Sequence, residues 1–195
     1  MLGSAELAKE IGTFPWVGKF EIHEVLDYNT MKRKDASFIS VDLNAVPEGW
    51  TLLGTGCSRN SYLGPDGVVY KVQSGSIFNP EEFGPGACYL SENFSEAFVY
   101  ASVGERIAEI SEGRARLAPC HYWDAYDVLA MEYSEKVDDC AYDSEGIVSF
   151  FKDQGLGGDL HDGNVWIDAK GAVLIDYAHV ARRIRADGTI TALEW

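Results

Sequence analysis

The feature that most constrains this chain lies near its C-terminal end. Gly158-Asp159-Leu160-His161-Asp162-Gly163-Asn164 is followed by the apolar run Val165-Trp166-Ile167 and then by Ala172-Val173-Leu174-Ile175-Asp176. Two short apolar runs divided by Asp168-Ala169-Lys170-Gly171 predict a β-hairpin. In such a hairpin Asn164 opens one strand and Asp176 ends the other, so their side chains come to the same edge. Amide and carboxylate oxygens gathered there suit a magnesium ion that bridges phosphates. Asp159, on the preceding loop, is placed to accept or orient a hydroxyl proton. Asp and Asn also serve as ordinary turn and cap residues, which accounts for the residue types but not for their arrangement.

Phosphoryl transfer needs three further parts: a flexible cover for the phosphates, a cation to neutralise them and a carboxylate to hold that cation. Upstream, WTLL (50–53), SYL (61–63) and VVYKV (68–72) read as three short strands. Gly64-Pro65-Asp66-Gly67 is a strong turn signal between the last two, because proline presets φ and glycine supplies a positive one. Gly54-Thr55-Gly56 lies between the first two strands and opens no helix, which disfavours both the Walker A loop and the dinucleotide fingerprint. It fits either a plain turn or a phosphate-covering hairpin. Lys71 follows on the third strand, where a lysine is either solvent-facing or paired. Downstream, Phe94, Ala97, Phe98 and Ala101 recur at helical spacing behind Ser91 or Asn93 as N-cap. Glu96 borders that apolar face and is the preferred partner for Lys71, with Glu92 one turn earlier as the competitor.

The remaining pattern is coarser. Residues 4–12 predict a short helix capped by Ser4 and stopped by Gly12. The stretch 18–44 has no clear period, and YNTMKRKDAS reads as a solvated turn or loop. Residues 73–90 are broken by glycine and proline. LAPCHYW (117–123) and DVLAMEY (127–133) predict two strands, EGIVSFF (145–151) a helix, and Asp187-Gly188 a closing hairpin.

DLHDGN followed by VLIDYA resembles the catalytic loop and metal-binding segment of the protein-kinase-like superfamily, and GDLHxGN is especially similar to the aminoglycoside-type small-molecule kinases. Leu129-Ala130-Met131-Glu132-Tyr133 resembles the hinge of the same superfamily. Among smaller relatives the chain looks most like the compact serine/threonine kinases of short-tailed lytic phages. The resemblance covers about residues 50–180, and only 158–178 is specific. It implies an α+β, bilobal fold: an antiparallel-sheet small lobe with an N-terminal extension and hinge over 1–133, and a strongly truncated large lobe over 134–195. It implies ATP and magnesium as cofactors, with Asp159 as catalytic base and Asn164 and Asp176 as metal ligands. Lys71 and Glu96 would form the ion pair, and Gly54 and Gly56 the phosphate cover. Met131 would be gatekeeper, with the Glu132 and Tyr133 backbone against adenine. His161 stands where protein kinases usually carry a lysine; it would either help neutralise the transferred group or hold the loop.

Several positions depart from that pattern. A third loop glycine is absent, and Arg59 or Asn60 stands near its place; Arg59 would contact phosphate or stiffen the cover. Gly157-Gly158 replaces the His-Arg that usually precedes the catalytic Asp, and Ala178 replaces the glycine after the metal-binding Asp. The 19 residues after Asp176 leave no room for a full activation segment or for helices that dock peptides.

Composition limits the partners. A hydrophobic fraction of 46% is that of a globular chain, and no apolar run approaches the ~20 residues of a membrane span. The N-terminus lacks the basic flank and apolar core of a signal peptide, and the four cysteines form no CxxC pair. The expectation is a cytoplasmic protein with no membrane partner, in host cytoplasm if phage-encoded. A net charge of -15 argues against direct nucleic-acid binding. The expected activity is phosphorylation of host or cellular proteins on serine or threonine. The alternatives are a small-molecule kinase and an acidic nucleotide-binding decoy that engages a basic partner.

Overall fold

The computed structural model describes residues 2–14, 18–27, 32–41, 45–55, 59–73, 91–135, 144–156 and 163–178. The fold is α+β. Helix α1 (Ala5–Ile11) leads into an antiparallel pair, β1 (Gly18–Asp27) and β2 (Lys32–Val41). Next come β3 (Thr51–Thr55), β4 (Arg59–Leu63), β5 (Val69–Gln73) and the long helix α2 (Glu92–Ile110). Strands β6 (Ala115–Leu117), β7 (Cys120–Trp123) and β8 (Val128–Met131), helix α3 (Ser144–Asp153), and strands β9 (Val165–Asp168) and β10 (Gly171–Leu174) complete it.

Five strands form one antiparallel sheet in the order β3-β4-β5-β8-β7. Period-two alternation gives this sheet two different faces. Tyr62, Tyr70, Val72, Val128 and Ala130 point to one side and pack with Trp50, Ala8 and Ile11 of α1. Val69, Leu129 and Met131 point to the other and pack with Val99, Val103 and Ile107 of α2 and Phe151 of α3. The second core continues into a small sheet, β6-β10-β9, in which β10 runs parallel to β6 and antiparallel to β9.

The α1 side is held by polar contacts at its rim. Ser4 Oγ accepts from the Glu6 and Leu7 amides at 3.2 and 3.5 Å, an N-cap worth about 1 kcal/mol. The Tyr70 hydroxyl accepts from the Ser4 amide at 2.9 Å and donates to Asp66 Oδ2 at 2.7 Å. Burial pushes that phenol up to about 12, so it stays protonated as a donor. Gly3 lies over Tyr70 with φ +74°, and a Cβ there would come within 2.9 Å of the ring hydroxyl. Gly67 closes the β4–β5 turn with φ +76°, as the Gly-Pro-Asp-Gly run predicts.

Three expectations need correction. The KRKDAS segment is strand: residues 32–37 pair with β1 from Lys32↔Asp27 to Ser37↔Ile22. Cross-strand hydrogen bonds satisfy the backbone whatever the side-chain polarity, and a ladder of ten residue pairs outweighs an unfavourable composition. The buried stripe of α2 also differs from the predicted one. Phe94 and Phe98 are each 41% exposed, whereas Asn93, Glu96, Val99, Val103 and Ile107 are buried. Within 117–123, Leu117 belongs to the separate strand β6. Residues 28–31, 74–90 and the proposed hairpin at Asp187-Gly188 lie outside the described residues. Among the described residues no helix is long and apolar enough to cross a membrane.

Candidate functional site

Strand register determines which charges meet. Lys71 sits opposite Ser61 and Leu129, and Arg59 opposite Gln73. Two residues apart along the ladder, Arg59 and Ser61 share the face on which Lys71 lies. That face looks at the first turns of α2, so both cations point towards Glu92, Asn93 and Glu96.

Lys71 and Glu96 are 6% and 0% exposed. Lys71 Nζ donates to both carboxylate oxygens of Glu96, at 2.9 and 3.0 Å, and also to the Ile175 carbonyl. The three ammonium N–H groups therefore tie β5 to α2 and to the residue before Asp176. Glu96 accepts in addition from Arg59 Nη1 at 2.5 Å and from the Tyr177 amide at 3.2 Å. A fully buried carboxylate survives only with this degree of pairing. Of the two predicted partners, Glu96 holds Lys71, while Glu92 pairs with Arg59 Nε at 3.2 Å.

Arg59 is the second hub. Its Nη2 donates to Asp176 Oδ1 at 2.7 Å and its Nη1 reaches Asn93 Oδ1 at 3.5 Å. Burial works against the guanidinium charge, but Glu96, Asp176 and Glu92 outweigh it and hold the pKa above its ordinary value. A single fork thus joins the strand after the glycine loop to α2 and to the end of the β9–β10 hairpin.

That hairpin forms as predicted, with Leu174 opposite Val165. The Ile175 amide donates to the Asn164 carbonyl at 2.9 Å, so the chain on either side of the hairpin stays together as far as Asp176. Asn164 is buried, whereas the Asp176 side chain is 38% exposed. Among the described residues no group of three or more His, Cys, Asp or Glu is placed to hold a metal. The amide oxygen of Asn164 and the carboxylate of Asp176 are hard oxygen groups of the type that magnesium takes, together with waters and phosphate oxygens.

Gly54 lies in β3 opposite Ser61, beside a register irregularity between Leu52 and Gly54. A Cβ at Gly54 would meet nothing within 4 Å, so neighbouring atoms do not demand glycine there. At the end of β8 Met131 is buried, the Glu132 amide donates to the Pro119 carbonyl at 2.8 Å, and Tyr133 is 38% exposed. The Glu132 carboxylate accepts from Lys170 at 2.6 Å and Arg116 at 3.4 Å. Asp159, His161 and Gly56 lie outside the described residues.

Sequence reasoning missed Asn93 as more than a cap candidate. Ser91 caps α2, accepting from the Phe94 amide at 3.4 Å. Asn93 is fully buried, and its Nδ2 donates to the Lys71 carbonyl at 3.1 Å and the Asp127 carbonyl at 2.6 Å. Its spacing of three from Glu96 places both on one helical face, a signal that a purely apolar search passes over. Tyr177 was also missed. Its amide meets Glu96, and its hydroxyl donates to the Ala118 carbonyl at 2.6 Å, anchoring the segment that carries Asp176. No protein-family model and no curated protein matches the chain.

Proposed function

We propose that this chain is an ATP- and magnesium-dependent phosphotransferase of the protein-kinase-like superfamily, a minimal serine/threonine kinase acting on host or cellular proteins. The observation that carries the reading is the buried Lys71–Glu96 pair, whose lysine also binds the carbonyl immediately before Asp176. A buried cation held beside a half-exposed carboxylate is the arrangement that phosphoryl transfer requires. On this reading residues 1–133 form the small lobe and hinge and 134–195 a reduced large lobe.

Each residue then has a task. Lys71, oriented by Glu96, exchanges its bond to the Ile175 carbonyl for α- and β-phosphate oxygens. The Gly54–Gly56 loop lays backbone N–H groups over the phosphates, and Gly54 leaves room for that approach. Adenine lies against Met131 and the backbone of Glu132 and Tyr133; with the Glu132 amide given to Pro119, the Glu132 carbonyl is the edge offered there. Asn164 and Asp176 hold magnesium, which when bound neutralises charge on the phosphate oxygens. Asp159 would accept or orient the acceptor hydroxyl proton, and His161 would help neutralise the transferred group or hold the loop.

The alternative is a small hydroxylated acceptor, which the GDLHDGN block favours, and one assay separates the two. The protein is incubated with γ-labelled ATP and magnesium, with cell lysate proteins or with candidate small molecules. Label on lysate serine or threonine supports the protein kinase, and label on a small molecule supports the second reading. If Asp159→Ala and wild type transfer label equally, the assignment of Asp159 is wrong. If neither transfers any, the enzyme reading gives way to an acidic nucleotide-binding decoy.

A further inference from the structure

Arg59 does more than fill the place of a missing loop glycine. Its guanidinium contacts three carboxylates: Glu92 at 3.2 Å, Glu96 at 2.5 Å and Asp176 at 2.7 Å. Glu96 already has a cation in Lys71, so it does not need Arg59 for neutralisation. Arg59 also reaches Asp176 from the sheet, and the contact is made on Oδ1.

We propose that Arg59 is an internal counter-cation that competes with a divalent metal ion for the Asp176 carboxylate and thereby sets the metal affinity of the site. The inference rests on reading Asp176 as a metal ligand. A guanidinium N–H and a metal ion cannot occupy the same lone pair of Oδ1, and two cations drawn to one carboxylate repel each other. A metal on that lone pair displaces Nη2, and one on Oδ2 of the same carboxylate still meets its repulsion. Displacement does not strand the arginine, because Nε and Nη1 keep Glu92 and Glu96. The exchange is thus a partial rotation of a fork that stays anchored to α2. Arg59 opens β4, three residues after Gly56, so the released arm stays at that end of the sheet. The cluster of Arg59, Lys71, Glu92, Glu96 and Asp176 has two cations against three carboxylates. Removing Arg59 leaves more negative charge and a stronger pull on a divalent ion.

The test is titration of the full-length chain with Mn²⁺ alone, followed by the electron-spin resonance of the free ion. Arg59→Gln is expected to bind Mn²⁺ about tenfold more tightly than wild type. Arg59→Lys, which keeps the charge, should stay near wild type. Asp176→Asn should lose the site, and the gain should vanish in the double variant. If Asp176→Asn abolishes binding while Arg59→Gln leaves it unchanged or weaker, competition is wrong and the metal-ligand reading stands. If Asp176→Asn changes nothing, the metal-ligand reading falls and the proposal with it. A wild-type measurement covers the case in which Arg59→Gln fails to fold. The ¹⁵N Nη2–H resonance of Arg59, assigned by its loss in Arg59→Lys, should shift as Mg²⁺ saturates the site; an unmoved resonance overturns the proposal.

Discussion

Glu96 concentrates the energetic stakes of the site in one side chain. It is fully buried and accepts from Lys71, Arg59 and the Tyr177 amide. Replacing it with alanine leaves Lys71 with the Ile175 carbonyl and Arg59 with Glu92 and Asp176, so the loss is large but not total. Glu96→Ala is expected to lower unfolding free energy by about 3 kcal/mol, the scale for breaking a buried pair from one side, measured by urea denaturation. A loss below ~1 kcal/mol would mean that the cluster is held from elsewhere. Lys71 and Glu96 were legible in the sequence because a lone lysine in an apolar strand needs a partner and the next helix offers two carboxylates. The role of Arg59 depended on the register of β4 against β5, which no local pattern encodes. Asn93 was obscured for a related reason: its partners are backbone carbonyls from β5 and Asp127, which carry no side-chain signature.

Among elements, β6, β9 and β10 form the support beneath Asp176. Arg116 of β6 donates to Asp168 at the end of β9 at 2.5 and 3.1 Å, bridging across β10. Burial alone would raise the Asp168 pKa, but hydrogen bonds from Arg116 and the Lys170 amide reverse that and hold it below its ordinary value of 3.8. A carboxylate depressed in the folded state contributes stability above its unfolded pKa and loses it as pH falls through the folded one. Asp168→Asn is therefore expected to be less stable than wild type at pH 7 by about 1.5 kcal/mol. The gap should close below pH ~4, as followed by thermal melts across pH; a gap independent of pH would contradict the ionic origin. Elements with a clean local period, such as β5, β8 and the β9–β10 hairpin, were readable directly. The β1–β2 pair was not, because its ten-residue strands carry charges that a composition rule assigns to loops. Three-residue β6 is too short for any period. The face of α2 was misread because its first buried turn is polar: Asn93 and Glu96 point inwards to meet charges on β4 and β5 while Phe94 and Phe98 remain exposed.

For the molecule as a whole, the five-stranded sheet separates two jobs. One face, with α1 and the Trp50 aromatic cluster, is structural: Trp50 packs edge-on against Phe14, Tyr62 and Tyr70 and donates to Glu10 at 3.1 Å. The other brings Lys71 and Arg59 against α2 and the segment carrying Asp176. The α+β class was legible from the alternation of strand and helix patterns. The way the hairpin ending at Asp176 meets the cations of the sheet was not, because it joins residues more than a hundred positions apart. The central claim is that this junction is a magnesium-dependent ATP site. Calorimetric titration of ATP into the full-length chain, with and without Mg²⁺, tests it most directly, using Asp176→Asn and the remote Asp168→Asn as paired variants. Magnesium-dependent binding in wild type and Asp168→Asn, lost in Asp176→Asn, is the result predicted. Binding indifferent to magnesium and to Asp176, or no ATP binding by wild type, would contradict it.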